Sequence, residues 1–352
     1  MRFLLIYPPS GGRLSVGPHL KRAIEECGHQ VEVFDFSKFV QTYLSGLKIE
    51  SLKTKDRKEK EDLAFLALEI GEKRLVKKAL EVKPDIVLDI TAVGKETIRL
   101  FKNEGMITCF WFLEDGFSPA YSSWRNIAGE FDFFFSIQPA GFLEEAKAFG
   151  VKNAFHLPHG CDPKIHKRTR LSESGIKLYG SDLSFMGAPY PNRIEAFKQL
   201  KNYNFKIWGE GWDKIEMSGI KGGKRSIGQV TAAKIFNASK INLNLHSSNE
   251  VKNKFSGDFA NPRTFALAGC SAFQLVDERG TIPSFFKLDE EIVCFQTIEE
   301  LKEKIDYYLA HPKKREEIAK AARERAYKEH TYTHRIEQMV EFIRRVKGSA
   351  TN

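Results

Sequence analysis

The sequence has no long apolar run: no hydrophobic segment reaches the roughly 18 residues that a membrane-spanning helix requires. The first residues, Met1 to Tyr7, end at Pro8 and Pro9 without the small-residue cleavage site of a secretory signal. We therefore predict that this segment is the first strand of a cytoplasmic protein with no membrane span.

Cysteine is scarce. The chain has 5 cysteines, an odd number, and no two of them form a C-x-x-C pair. This pattern excludes a disulfide framework and indicates no zinc site, so we predict free thiols that are mostly buried.

The usual phosphate-binding signatures are missing from the loop after the first strand. Its glycines, Gly11 and Gly12, are not followed by the Gly-Lys-Ser/Thr of a P-loop, and they do not begin a G-x-G-x-x-G fingerprint. Gly12 still lets the backbone approach a ligand closely, so it stays a candidate binding residue, although a tight turn without a ligand explains it equally well.

Positively charged residues outnumber negatively charged ones in this sequence. The formal net charge is +9, and lysines concentrate between residues 48 and 60, where acidic residues are interleaved with them. Such a mixture is typical of a solvated helix face, but the net charge also leaves a nucleic-acid substrate open.

Short apolar runs alternate with helical patterns along most of the 352 residues. This alternation predicts an α/β protein with parallel sheets, and the length predicts two domains. Residues 40–82 carry a helical insertion, and three helices close the chain. The predicted strands are Phe3–Tyr7, Val31–Phe36, Asp85–Ile90, Ile107–Phe112, Phe133–Ile137, Ala154–Leu157, Leu183–Met186, Phe205–Trp208, Ile241–Leu245, Ala272–Val276 and Ile292–Phe295.

Three polar residues in the first half follow predicted strands, where open parallel sheets bind their ligands. Glu114 and Asp115 follow the fourth strand, and a carboxylate there can orient an acceptor hydroxyl or act as a base. It can also merely cap a helix. His159 follows the sixth strand and titrates near neutrality, which suits either catalysis or a structural role.

Four strand ends in the second half combine glycines with polar side chains. An arginine beside a helix N-terminus suits a diphosphate, because its guanidinium binds two oxygens and the helix dipole favours negative charge. Helix capping alone does not readily explain so many polar strand ends. The candidate residues are Gly187, Arg193, Gly209, Glu210, His246, Asn261, Arg263 and Thr264.

Together, several of these segments resemble the CgeB-type glycosyltransferase-like proteins of the GT-B superfamily. The matching segments are Phe131-Asp132, Leu157 to Pro163, Ser184 to Gly187 with Asn192-Arg193, Ile235 to Leu245, Asn261 to Phe265 and Glu329 to Arg335.

The resemblance implies two Rossmann-like domains facing across a cleft: residues 1–165 for the acceptor and residues 166–334 for a nucleotide-sugar. The final helix, residues 335–352, would pack back on the first domain. No cofactor is bound tightly, and a UDP- or GDP-sugar is the expected donor substrate.

The resemblance also implies roles for individual residues. Arg193 and Arg263 would bind the diphosphate, while Gly187, Gly209, His246 and Asn261 would line the donor pocket. Enzymes of this fold generally work without a bound metal, and the sequence has no D-x-D pair at a strand end. The acceptor would be a glycan, a protein or a small molecule.

The sequence departs from the family in one place. Many retaining relatives carry two glutamates eight positions apart, the second of which holds the ribose hydroxyls. Asp258 and Ala266 occupy the corresponding positions, so the second carboxylate is missing. Either Glu210, Asp258 or a backbone group replaces it, or the donor is unusual, or the site no longer binds a sugar nucleotide.

Three functions therefore remain open. The first is a metal-independent glycosyltransferase. The second is a non-catalytic protein of the same fold that binds a sugar nucleotide or serves as a scaffold in polysaccharide or spore-coat assembly. The third is a DNA-base glycosyltransferase, motivated by the positive charge, which predicts steeply salt-dependent DNA binding.

Overall fold

The structure is a computed structural model that describes residues 1–7, 16–36, 57–115, 122–217, 221–222, 227–247 and 258–349. Contacts between residues divide the chain into two compact units. The first unit combines Met1–Leu157 with Ile336–Asn352, and the second unit is Pro158–Arg335. The chain therefore leaves the first unit eight residues before the predicted boundary at 165 and returns to it next to the predicted boundary at 334.

The described part of the first unit contains a six-stranded parallel sheet in the order β2-β1-β3-β4-β5-β6, with helices between the strands. A short 3-10 turn covers Ala128–Glu130. The elements are β1 Arg2–Tyr7, α1 Gly17–Glu26, β2 Gln30–Asp35, α2 Arg57–Val82, β3 Ile86–Asp89, α3 Lys95–Asn103, β4 Ile107–Phe112, α4 Trp124–Ile127, β5 Phe133–Ser136, α5 Ala140–Ala148 and β6 Ala154–His156.

Aromatic residues pack against both faces of this sheet. Phe110 of β4 pairs in register with Phe134 of β5, and Trp124 packs against Phe142 with ring centroids 4.8 Å apart. On β6, Phe155 stacks on Phe342 of the C-terminal helix at 4.3 Å. The sheet is thus buried by aromatic side chains, as continuous apolar strands require.

The second unit contains a second parallel sheet, whose described strands have the order β12-β11-β10-β7-β8-β9. Short 3-10 turns cover Trp212–Lys214 and Ile282–Ser284. The elements are α6 Glu173–Tyr179, β7 Ser181–Met186, α7 Pro191–Lys198, β8 Phe205–Trp208, β9 Lys221–Gly222, α8 Gln229–Ala238, β10 Ser239–Asn244, α9 Pro262–Gly269, β11 Gln274–Asp277, β12 Val293–Phe295, α10 Ile298–Ala310, α11 Pro312–Glu329 and α12 Tyr332–Ser349, whose last part belongs to the first unit.

The two ends of the second unit are joined to each other by backbone pairing. The Cys161 N–H donates to the His330 carbonyl at 2.8 Å, and the Tyr332 N–H donates to the Cys161 carbonyl at 2.9 Å. Arg335, only 2% exposed, donates from Nε to the carbonyls of Pro158 and His159, each at 3.1 Å. The segment that enters the unit is therefore held directly against the segment that leaves it.

The α/β class with two parallel sheets is confirmed, and all eleven predicted strands lie within one or two residues of observed ones. The helix α6, which lies between the sixth and seventh predicted strands, was not predicted from the sequence. Of the helical insertion at residues 40–82, residues 40–56 lie outside the described residues, and the rest contains α2.

The cysteines are free thiols. Cys109, Cys161 and Cys270 are buried, and burial raises the pKa of Cys161 to about 12. In the part of the chain that the structure describes, no helix is long and apolar enough to span a bilayer.

Candidate functional site

The residues that the sequence singles out in the second unit gather at the carboxyl ends of β7, β8 and β10. Phe185, near the end of β7, lies close to two arginines: the guanidinium carbon of Arg193 is 5.0 Å from its ring centroid and that of Arg263 is 4.8 Å away. Both arginines also donate to the carbonyl oxygen of Leu245, which follows β10. Two positive charges therefore meet at one edge of the sheet.

Arg263 is 7% exposed and is anchored by polar contacts to three partners. Nε donates to Asn244 Oδ1 at 3.1 Å, Nη2 donates to the Leu245 carbonyl at 3.2 Å, and Nη1 donates to the Met186 carbonyl. Within the described residues no carboxylate forms an ion pair with it. Burial and the neighbouring Arg193 hold the pKa of Arg263 well below its usual range, while Asp277 acts weakly in the opposite direction.

Arg193 lies on α7 and is 5% exposed. Its Nε and Nη2 donate to the Leu245 carbonyl at 3.1 and 2.8 Å, and its Nη1 donates to the Ala188 carbonyl at 3.0 Å. Proline at the start of α7 presets the backbone for helix, which places this arginine in the first turn. Arg193 thus ties the loop after β7 to the end of β10.

Asn244, the last residue of β10, is fully buried and connects the site to α9. Its Nδ2 donates to Thr264 Oγ1 at 3.0 Å, and its Oδ1 accepts from Asn261 Nδ2 at 2.8 Å and from Arg263 Nε. Asn261 also caps α9, because its side chain accepts the N–H of Thr264. The network fixes the helix N-terminus against the strand end.

His246 and Asp277 form a buried pair beside this helix. His246 Nδ1 donates to Asp277 Oδ1 at 2.7 Å, and His246 Nε2 accepts the N–H of Asn261 at 3.2 Å. Burial lowers the pKa of His246, which fits an uncharged ring whose two nitrogens are both engaged within the protein. Although burial alone would raise the pKa of Asp277, His246 and Arg279 hold it well below its usual range. His246 therefore positions the start of α9.

Two glycines bring the ends of β7 and β8 close together. Gly187 has a φ of +154°, and a Cβ there would meet Nη1 of Arg263 at 2.9 Å, so the missing side chain leaves space beside the guanidinium. Gly209 has a φ of +136°, and a Cβ there would collide with the Gly187 carbonyl oxygen. Both positions require glycine for a steric reason.

We expect Gly209→Ala to lower the free energy of unfolding by about 1–3 kcal/mol, because the new methyl group must displace the Gly187 backbone. Gly141→Ala is the matched control: it lies in α5, and an added Cβ has nothing within 4 Å. Urea denaturation of both variants measures the difference. Equal unfolding free energies for the two variants would contradict this steric assignment.

In the first unit the structure separates the two adjacent carboxylates. Glu114 is exposed, whereas Asp115 is half-buried and accepts a hydrogen bond at 3.2 Å from Nε2 of Gln138, which follows β5. Asp115 is therefore the carboxylate that the sheet edge holds in a defined position. Gly12 lies outside the described residues.

His159 belongs to the second unit and is 2% exposed. Its carbonyl oxygen accepts from Arg335 Nε at 3.1 Å, so its backbone forms part of the paired segments at the ends of this unit. A catalytic role for His159 stays a prediction.

Comparison with known proteins gives the family of this region. Residues 192–341, which carry α7, β10 and α9, match the family described as glycosyl transferase-like. Residues 192–341 are therefore glycosyltransferase-like in sequence. It is also 26% identical over 185 residues to the spore protein CgeB of Bacillus subtilis strain 168, a match that covers 49% of this chain and 56% of that protein. The predicted resemblance to CgeB-type proteins is thereby confirmed, over little more than half the length of that relative.

Solved structures show the same fold over nearly the whole chain. Sucrose-phosphate synthase from Thermosynechococcus elongatus superposes with a TM-score of 0.66 at 12% identity, covering 99% of this chain and 100% of that one. Anabaena HepE in complex with UDP and glucose superposes with a TM-score of 0.59 at 14% identity, covering 97% of this chain and 99% of that one. The GT-B fold is therefore confirmed.

The structure also shows the surroundings of Asp258 and Ala266, the two positions that the resemblance implies for paired glutamates. Ala266 is 8% exposed on α9 and packs with Met186 and Phe236. Asp258 is exposed, and its Oδ1 accepts the N–H of Thr281 at 3.2 Å. Glu210 is exposed after β8. Ala266 thus makes apolar contacts, and neither Asp258 nor Glu210 pairs with Arg263 in the described structure.

Sequence reasoning missed two residues that organise these sites. Asp277 is the last residue of β11 and holds His246, while Gln138 lies two residues beyond β5 and contacts Asp115. Both are polar residues at the carboxyl end of a buried strand. The rule that selected the other candidates applies equally to them.

Proposed function

We propose that the protein transfers a sugar from a nucleoside-diphosphate sugar, and that the diphosphate binds Arg263 beside Gly187. One observation carries the proposal: a buried guanidinium at a helix N-terminus that forms no ion pair with a carboxylate within the described residues. A buried cation is costly unless an anion accompanies it, and Arg193 adds a second positive charge.

The space for the anion is provided by Gly187, whose missing side chain leaves Nη1 of Arg263 approachable. Nη1 and Nη2 each carry a second N–H besides the one that binds a backbone carbonyl. These guanidinium N–H groups, together with the positive end of the α9 helix dipole, suit the oxygens of a diphosphate. Asn244 and Asn261 keep the guanidinium and the helix end in fixed positions.

The same charges would favour the chemical step. As the bond from the sugar to the diphosphate breaks, negative charge grows on the departing oxygen, and preorganised positive groups stabilise it in the transition state. Two arginines and a helix N-terminus supply such charge from the protein itself, which motivates a mechanism without a metal ion. UDP- and GDP-sugars are the donors that we propose, with a glycan, a protein or a small molecule as acceptor.

A binding protein without transfer activity is the second candidate, and Ala266 motivates it. If the missing carboxylate were needed for turnover, the arginine site would still bind a nucleotide. Nucleotide binding without release of the sugar, even with acceptor candidates present, would favour this function.

A thermal-shift panel tests the proposal. UDP, GDP, ADP, CMP and dTDP, each with a common sugar derivative, are compared with uridine and guanosine, which lack phosphate. A ligand at a hundredfold excess over its Kd stabilises the folded state by about 2.7 kcal/mol. We expect a rise in Tm with one diphosphate family and none with its nucleoside. No rise with any nucleotide, in a cooperatively unfolding sample, would overturn the proposal.

A further inference from the structure

The chain around α6 carries a cluster of exposed cations. Between residues 164 and 177 there are five cations and one carboxylate, Glu173, and all six side chains are exposed. The cations are Lys164, Lys167, Arg168, Arg170 and Lys177. Within the described residues no carboxylate forms an ion pair with the last four of them, whereas Lys240 at the start of β10 pairs with Asp182 at 2.7 Å. The segment therefore presents uncompensated positive charge to its surroundings.

The loop before α6 and the exposed face of α8 form one surface. Asn237 of α8 joins them, because its Oδ1 accepts the N–H of Thr169 at 2.9 Å and its Nδ2 donates to the Lys167 carbonyl at 3.0 Å. Val230, Lys234 and Asn237 share one face of α8, since they are spaced four and three positions apart. α6 itself packs against α8. The exposed Lys234 thus adds a sixth cation to the same surface.

Three aliphatic side chains of this surface are more than half exposed. Ile176 and Leu178 of α6 are 54% and 59% exposed, and Val230 of α8 is 57% exposed. α6 buries none of its residues, although its end is fixed by Lys206 Nζ, which donates to the Leu178 carbonyl at 2.8 Å. Single exposed aliphatic residues are common on proteins, but a group of them surrounded by polar residues marks an interaction surface.

We propose that this basic-aliphatic patch, formed by residues 164–171, α6 and the exposed face of α8, binds the surface of an anionic lipid bilayer. The cations complement the phosphates of the lipid headgroups, and the aliphatic side chains enter the boundary between headgroups and acyl chains. Lys177, which lies between Ile176 and Leu178 in sequence, fits this arrangement because its stem is apolar while its ammonium reaches the phosphates. The patch is independent of the proposed nucleotide site, so either can fail without the other.

The aliphatic residues favour a bilayer over a nucleic acid. A nucleic acid also neutralises lysine and arginine, but its sugar-phosphate backbone offers no apolar layer to Ile176 and Leu178. A bilayer takes up both kinds of side chain at once. Binding to it should therefore have two parts, one that salt screens and one that salt leaves in place.

The electrostatic part is tested by the triple variant Lys167→Gln, Arg168→Gln and Arg170→Gln. Its partition coefficient onto vesicles of phosphatidylcholine with about 30% phosphatidylglycerol should fall about tenfold or more, because each cation near an anionic surface contributes to the attraction. Co-sedimentation of the full chain with these vesicles, and with vesicles of phosphatidylcholine alone, measures the change. The wild type should bind the neutral vesicles far more weakly than the anionic ones.

The matched control removes three positive charges from exposed positions in the first unit: Arg74→Gln, Lys83→Gln and Lys152→Gln. It has the same net charge as the patch variant but keeps the patch, so it should bind anionic vesicles within about twofold of the wild type. Thermal melting of both variants shows that they are folded. Equal loss of binding in both would mean that net charge alone governs adsorption, and would overturn the patch.

The apolar part is tested by the double variant Ile176→Ser and Leu178→Ser. It should bind anionic vesicles about fivefold more weakly and lose the binding that persists in wild type at high salt. The same proteins are titrated with a short DNA duplex. Failure of the wild type to bind anionic vesicles overturns the proposal, and so does DNA binding as strong as vesicle binding with neither affected by the serines.

Discussion

Arg263→Lys should weaken binding of the preferred nucleoside diphosphate by about 10- to 100-fold. Lysine keeps the positive charge but is a point donor, and it cannot hold Asn244 and the Leu245 carbonyl while also contacting two phosphate oxygens. Each charge-assisted hydrogen bond that is lost costs about 1.5–3 kcal/mol. Isothermal titration with the nucleotide selected by the thermal-shift panel measures the change in Kd.

The matched control is Arg99→Lys on α3, where an exposed arginine pairs with Glu130 at 2.7 Å. That change should leave nucleotide affinity unaltered. Both variants are first compared with the wild type in thermal melting, so that a misfolded Arg263→Lys sample is recognised. A folded Arg263→Lys protein with wild-type affinity would show that the diphosphate does not bind at this arginine.

Arg335→Met should lower the free energy of unfolding by about 3–5 kcal/mol, because each buried acceptor left without its donor costs about 1–3 kcal/mol. Its guanidinium binds the carbonyls of Pro158, His159 and Glu329 and contacts His330 Nδ1 at 3.0 Å. Burial lowers the pKa of Arg335 to about 10. Methionine fills much of the volume but leaves these acceptors without their donor.

Arg344→Met is the control, because it makes the same substitution on the same helix, α12, at an exposed position. We expect a change within about 0.5 kcal/mol for it. Guanidinium chloride denaturation, monitored by far-UV circular dichroism and by tryptophan fluorescence, gives both values. A loss for Arg335→Met no larger than that of the control would show that the carbonyl contacts contribute little to stability.

The strands were predictable because parallel strands are buried on both faces and therefore appear as continuous apolar runs. The segment Ile107–Phe112 is such a run, and the structure buries almost all of it. By contrast α6 was missed, since none of its residues is buried and it shows no apolar stripe. β9 has only two residues, Lys221 and Gly222, which no pattern distinguishes from a loop.

The position of the candidate site in the second unit could be predicted from the sequence, but its hydrogen-bond contacts could not. Glycine and arginine at strand ends indicated Gly187, Arg193 and Arg263, because the carboxyl edge of a parallel sheet follows from strand order alone. The hydrogen-bond partners of these arginines could not be predicted from the sequence. Arg193 binds the carbonyl of a residue 52 positions away, and Arg263 binds that of Met186, 77 positions away. Backbone acceptors carry no signature in the sequence.

The division of the chain bears on the order in which the protein is completed during synthesis. Pro158–Arg335 is continuous, whereas the first unit includes Ile336–Asn352, which the ribosome makes after the whole of the second unit. Phe155 is synthesised much earlier than Phe342, so its stacking contact can form only after Phe342 has been made. The second unit can reach its final form while the first still exposes part of its aromatic core, so a nascent chain stalled before residue 336 would present that surface to chaperones.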